Sequence, residues 1–235
     1  MVSEFILKTV IGVDLVPILI KLSQNCAEAA RGANRYKQLL TELVRYSSLQ
    51  RLLPEPGRLE ACVRYYEGVK SLHLTQRFPL FWLQYAIACF VEGDLKRARI
   101  YFETAYSLAA KSRFDTYQID NHYARFLLLE ATEAGLPVDK AIQNFRQARA
   151  IVNRQLQRER LHYPYKTASV YQDFIDRFGK ELDERMCSEV KAAADYVLER
   201  LERLPEDMKT HPDVRRCLDS TNYVTHRCRE LLLQM

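Results

Sequence analysis

Between Pro79 and Ala110 the apolar residues fall at helical spacing, and one polar interruption divides them into two runs. The first run, PLFWLQYAIACFVE, opens on Pro79, which suits a helix start because its missing N–H has no intrahelical partner there. Gly93 permits the tight turn that follows, and Asp94 can accept bonds from the first free N–H groups of the next helix. In that helix Leu95, Ala98, Phe102, Ala105 and Ala109 share one face. The same periodicity predicts two short helices over residues 1–31. One runs from Ser3 to Ile11, and the other is capped by Asp14, carries Pro17 in its first turn and ends near Arg31 and Gly32. A single helix is expected from Asn34 to Gln50, with Tyr36, Leu39, Leu40, Leu43, Val44 and Tyr46 along it, stopping before Pro54-Glu55-Pro56-Gly57. Past Ala150 the pattern passes an aromatic turn at Tyr163-Pro164-Tyr165 and then predicts helices from Thr167 to Phe178, Lys180 to Leu204 and Pro212 to Leu233. No alternating Val, Ile and Thr pattern bounded by turn residues occurs, so the expected fold is all-α.

Three stretches share one detail. Ala98, Phe102 and Ala105 form a small, aromatic, small set at helical spacing, and Ala141, Phe145 and Ala148 repeat it. Ala61, Tyr65 and Gly68 give a degenerate third version. Ala61 and Ala98 lie 37 positions apart, Ala98 and Ala141 43, near the roughly 34-residue period of the tetratricopeptide repeat. Trp82, Ala86 and Gly93 stand where that repeat places a Trp, a small residue and a turn Gly, and Tyr123, Ala124, Gly135 and Pro137 serve the next unit. The pattern departs at Tyr85 and Cys89, where Leu and Tyr are usual, and at Ala110, where a closing Pro is common. The expected architecture is a tetratricopeptide-like α-solenoid of antiparallel helical hairpins. Residues 1–33 form a helical lead-in, 34–150 the repeats, and 151–235 a divergent hairpin ending in a C-terminal capping helix, since an end repeat has no further neighbour to bury against.

Charge refines this picture only slightly. The net charge of +5 is a mild excess, without the concentrated basic stripe of a committed nucleic-acid binder. Six cysteines are scattered with no C-x-x-C pair, which predicts reduced core thiols and a cytoplasmic setting. The apolar opening is broken by Glu4, Lys8 and Asp14, so neither a membrane span nor a signal peptide is expected. Phe5, Ile6, Leu7, Val10 and Ile11 call for cover, and residues 3–11 are expected to pack on a preceding domain.

The chain carries no G-x-x-x-x-G-K loop. His226 and Cys228 would point about 200° apart on one helix, so no metal is expected there. No His follows an Arg at the spacing used by some helical ribonucleases. No catalytic residue, cofactor or metal is therefore expected. The densest polar and aromatic cluster is Tyr117-Gln118 with Asp120-Asn121-His122-Tyr123-Ala124-Arg125. Repeat register turns Gln118, Asn121 and Arg125 inward, with Tyr117 and His122 beside them. A ligand groove for a protein or peptide is one reading, and hydrogen bonds tying one repeat to the next are the other. Arg146, Arg149, Arg154, Arg158 and Arg160 form either a stripe for an anionic partner or a solvated face balanced by Glu159. RNA binding and an enzyme with an unrecognised site are the alternatives to a protein-binding scaffold.

The segments LVRYSSLQRLLPEPG, RYYEGVKSL, FWLQYAIACFVEGDLKRARIYFETAYSLA and FDTYQIDNHYARFLL resemble the C-terminal helical-repeat region of large bacterial STAND-type P-loop NTPases, over residues 1–150. Some members of that group act in anti-phage defence. The resemblance implies a repeat region that senses a foreign protein, next to an effector and a nucleotide-binding module that this sequence does not contain.

Overall fold

The computed structural model describes residues 14–30, 34–111, 116–158 and 163–235. Among them every regular element is a helix, and no helix is long and apolar enough to cross a membrane. The expected helix at 3–11, and Arg31 and Gly32, lie outside the described residues. The chain divides into two compact units, one ending at Ile119 and one beginning at Asp120. This boundary falls inside the segment 34–150 that the sequence reads as one run of repeats.

The first unit starts with α1 (Val16–Ala29), whose first turn holds Pro17. Asp14 Oδ1 accepts the Val16 N–H at 3.1 Å and is itself gripped by Arg64. Then come α2 (Asn34–Leu43), α3 (Tyr46–Leu52), α4 (Arg58–Val69) and a single turn, α5 (His73–Gln76). Helices α1 and α4 approach closely at Gly68, where a Cβ would collide with the Ile20 side chain. Beside it Ser23 and the buried Tyr65 hydroxyl share a 2.7 Å bond.

The single helix expected over Asn34–Gln50 is two helices, because the chain turns extended at Arg45 (φ −70°, ψ 122°). Side chains from distant helices take up the backbone groups at the break. Tyr66 donates its hydroxyl to the Val44 carbonyl at 2.8 Å, and Gln84 Oε1 accepts the Tyr46 N–H at 2.9 Å. A break supplied with partners in this way costs little, whereas buried groups left unpaired would each cost about 1–3 kcal/mol.

Helices α6 (Pro79–Glu92) and α7 (Leu95–Ala110) form a hairpin as the sequence reads it. Pro79 occupies the first turn, Gly93 is left-handed at φ 87°, and Asp94 accepts the Arg97 N–H at 2.9 Å. Ala86, Ala98 and Ala105 are fully buried and Phe102 nearly so, since small residues let two helix backbones approach while the ring fills the space between. Tyr66 stacks on Tyr85 with centroids 5.1 Å apart, which ties α4 to α6.

In the second unit α8 (Tyr117–Glu133), which begins before the boundary, pairs with α9 (Val138–Gln157) across a turn where Gly135 has φ 59°. Asn144 on α9 donates to the Leu127 carbonyl at 3.0 Å and to Glu130 at 2.9 Å. Ala141, Phe145 and Ala148 are fully buried. Phe145 meets the rings of Tyr171 and Phe174 at 4.9 and 4.8 Å.

The expected helix from Thr167 to Phe178 splits into α10 (Tyr163–Ala168) and α11 (Tyr171–Phe178). Ser220 donates to the Ser169 carbonyl at 2.6 Å, and Ser169 Oγ bonds back to the Lys166 carbonyl, so the interruption is satisfied. The expected start at Lys180 moves to α12 (Glu184–Glu202), because Asp183 caps it by accepting the Met186 N–H at 2.7 Å. A turn, α13 (Glu206–Lys209), precedes α14 (Pro212–Gln234), which packs on α10, α11, α12 and α13.

Candidate functional site

Helix α8 carries all five residues singled out as a recognition surface. Ile119, Tyr123, Ala124, Phe126 and Leu127 form its buried side, because apolar positions three and four apart share one face of a helix. Gln118, His122 and Arg125, at i, i+4 and i+7, share the opposite side: Gln118 is exposed, His122 and Arg125 half-buried. Tyr117 is half-buried. Asn121 is only 6% exposed. Thr167 of α10 lies 3.5 Å from both its carbonyl and its Oδ1, so Asn121 sits against α10 while its neighbours on α8 keep access to solvent.

The contact between Asn121 and Thr167 sets the local electrostatics. The residue after Asn121 is His122, and the residue before Thr167 is Lys166, so the pairing of α8 with α10 brings an imidazole and an ammonium into one neighbourhood. Arg125 joins them from one turn along α8. Desolvation pushes His122 down to about 4, and the positive charges of Arg125 and Lys166 push in the same direction. The ring is therefore neutral at physiological pH. Among the described residues neither Arg125 nor Lys166 has a carboxylate partner.

The basic face of α9 is arranged differently. Arg146 grips Glu189 through two bonds of 2.7 and 3.0 Å, and Arg149 reaches the Glu189 carbonyl at 3.5 Å. Arg154 pairs at 3.0 Å with Asp120, which is buried and also takes a short bond from Gln155. Three arginines of the expected stripe are thus bound into the second unit, and Arg160 lies outside the described residues. All six cysteines are buried free thiols, with Cys62 pushed by burial to about 11, and Cys89 and Cys228 to about 12. His226 points to solvent and pairs with Glu230 at 3.3 Å while Cys228 is fully buried, so the two do not converge.

A groove of about 330 Å³ opens between α11 and α14. Its charges are largely matched: Tyr223 donates to Asp176 at 2.5 Å and Arg227 pairs with Glu230 at 2.8 Å. Among the described residues no group of three or more His, Cys, Asp or Glu is placed to hold a metal ion.

Lys166 and Thr167 are the members of the α8 neighbourhood that the sequence did not offer. Both lie on α10, whose opening Tyr163-Pro164-Tyr165 is helical rather than the aromatic turn expected there, more than forty positions from Asn121, and no local periodicity links them to α8. No protein-family model matches the chain, and no curated protein matches it.

Proposed function

We propose that the chain is a non-catalytic, protein-binding helical scaffold, with α6–α7 and α8–α9 as tetratricopeptide-like hairpins of an α-solenoid. The observation that carries this reading is the repeated interior of the two hairpins. The second helix of each buries a small, aromatic, small set, Ala98, Phe102 and Ala105 in one and Ala141, Phe145 and Ala148 in the other, at 0–2% exposure. Such units hold their shape through neighbour contacts, and a stack of them offers its concave surface, lined by the first helix of each hairpin, for recognition. The side of α8 bearing Gln118 and Arg125 is the recognition surface in this reading. The resemblance to STAND-type repeat regions supports a further step, a cytoplasmic sensor module of a bacterial anti-phage system that engages a foreign protein.

The test is a pull-down with the full chain from phage-infected and uninfected cells, read by mass spectrometry. A protein enriched by the wild type and lost with Gln118→Ala/Arg125→Ala supports the scaffold reading, and enrichment confined to infected cells supports the sensor role. Recovery of nucleic acid that nuclease abolishes, with no protein enriched, would overturn it.

A further inference from the structure

We propose that Arg125 and Lys166, converging beside His122 in the second unit, form a receptor for a carboxylate-rich peptide segment of the partner; this rests on the protein-binding reading above. Packing of α8 on α10 fixes the placement, because Thr167 lies 3.5 Å from the carbonyl and side-chain oxygens of Asn121. That contact holds His122 and Lys166 on adjoining turns, with Arg125 three positions further along α8. Arg125 is half-buried and Lys166 exposed, and among the described residues no carboxylate answers either charge.

Several other cations of the unit are already paired. Arg146, Arg154, Arg177, Arg185 and Lys191 of the same unit all reach an Asp or Glu oxygen within 4.0 Å. Arg125 and Lys166 are not among them, and both are placed near enough to the half-buried His122 ring to act on its charge. An incoming carboxylate supplies the missing counter-charge and gains charge-assisted bonds, which are the stronger class of hydrogen bond. The guanidinium of Arg125 can hold a carboxylate through two parallel bonds, while Lys166 adds a mobile point charge. His122, neutral and half-buried, offers one ring N–H.

An acidic peptide fits this site better than nucleic acid does. Polyanion binding draws on many phosphate contacts, with affinity scaling with the number neutralised. Of the arginines that would extend the track, Arg146 and Arg154 are paired with the carboxylates of Glu189 and Asp120 and Arg149 is held on the Glu189 carbonyl, which leaves only Arg158, exposed just past α9, among the described members. Two free cations match one or two carboxylates.

The test uses the full chain and a fluorescein-labelled peptide of ten glutamates, followed by anisotropy at low salt, with a ten-residue single-stranded RNA and a ten-lysine peptide in parallel. The expected result is saturable binding of the glutamate peptide, at least tenfold weaker for Arg125→Ala/Lys166→Ala and unchanged for Arg215→Ala/Arg216→Ala on α14. The His122 ring proton resonances should shift on binding. Lys166→Glu alone, at an exposed position, keeps the test decisive if the double variant fails to fold. No binding of the glutamate peptide, equal binding by the variants, or tighter RNA binding lost in the same variants would overturn the proposal. If a protein partner is captured as described above but ignores Arg125 and Lys166, this site is refuted while the scaffold reading stands.

Discussion

His122 offers a quantitative handle on the surface at α8. Its pKa is about 4 in the folded chain against 6.5 for a free side chain, with desolvation as the main cause and Arg125 and Lys166 adding to it. Because the folded value is the lower one, the unfolded chain takes up the proton first. The stability this group contributes is fully present above 6.5 and is lost as pH falls from 6.5 toward 4. Linkage over those two values gives a loss of about 2 kcal/mol between pH 7 and pH 5. Other groups also titrate on the way down, among them Asp14, Asp94 and Glu189, each held below its ordinary range. The measurement is therefore a difference: urea unfolding of wild type and His122→Gln at both pH values. The wild type should lose about 2 kcal/mol more than the variant. Equal losses in the two proteins would refute the placement of His122 beside two cations in a desolvated position.

Three further outcomes follow from the packing. Ala98→Arg, at a fully buried position between α6 and α7, should destabilise by more than about 3 kcal/mol by forcing an unpaired charge into a close helix contact; an unchanged melting temperature would contradict the helix register. Tyr171 buries a hydroxyl that has no hydrogen-bond partner among the described residues. Tyr171→Phe should therefore be neutral or stabilising by up to about 1 kcal/mol, and a loss of more than that in thermal unfolding would contradict this placement. The six thiols are buried, and each is held above its ordinary pKa by desolvation. A chromogenic disulfide reagent should label them at the rate of unfolding rather than at the rate of free cysteine, and a fast native phase would contradict that.

What could be read along the chain was what local spacing decides. Pro79, Gly93, Asp94 and the row Ala98, Phe102, Ala105 each act within a few positions of themselves, and the helical hairpin they specify is present. The interruption at Arg45 was not legible, because the groups that stabilise it, Tyr66 and Gln84, lie on helices far along the sequence. The split between α10 and α11 has the same cause, a hydroxyl from Ser220 reaching the Ser169 carbonyl. Asp183 is a different case: a capping Asp ahead of Glu184 was visible locally, and the expected start at Lys180 passed over it. At α8 the sequence marked the cluster but not its surroundings. Asn121 meets Thr167, and Lys166 joins His122, only because α10 folds back on α8.

The claim that the chain recognises a protein through the accessible side of α8 is tested most directly by placing a photo-crosslinking residue at Gln118, which is exposed, and a control at Glu202, exposed at the end of α12. Irradiated in cells, the full chain should yield a discrete protein adduct from position 118 that is absent from position 202 and disappears with Arg125→Ala. Adducts of nucleic acid alone, or the same protein adducts from both positions, would contradict the account.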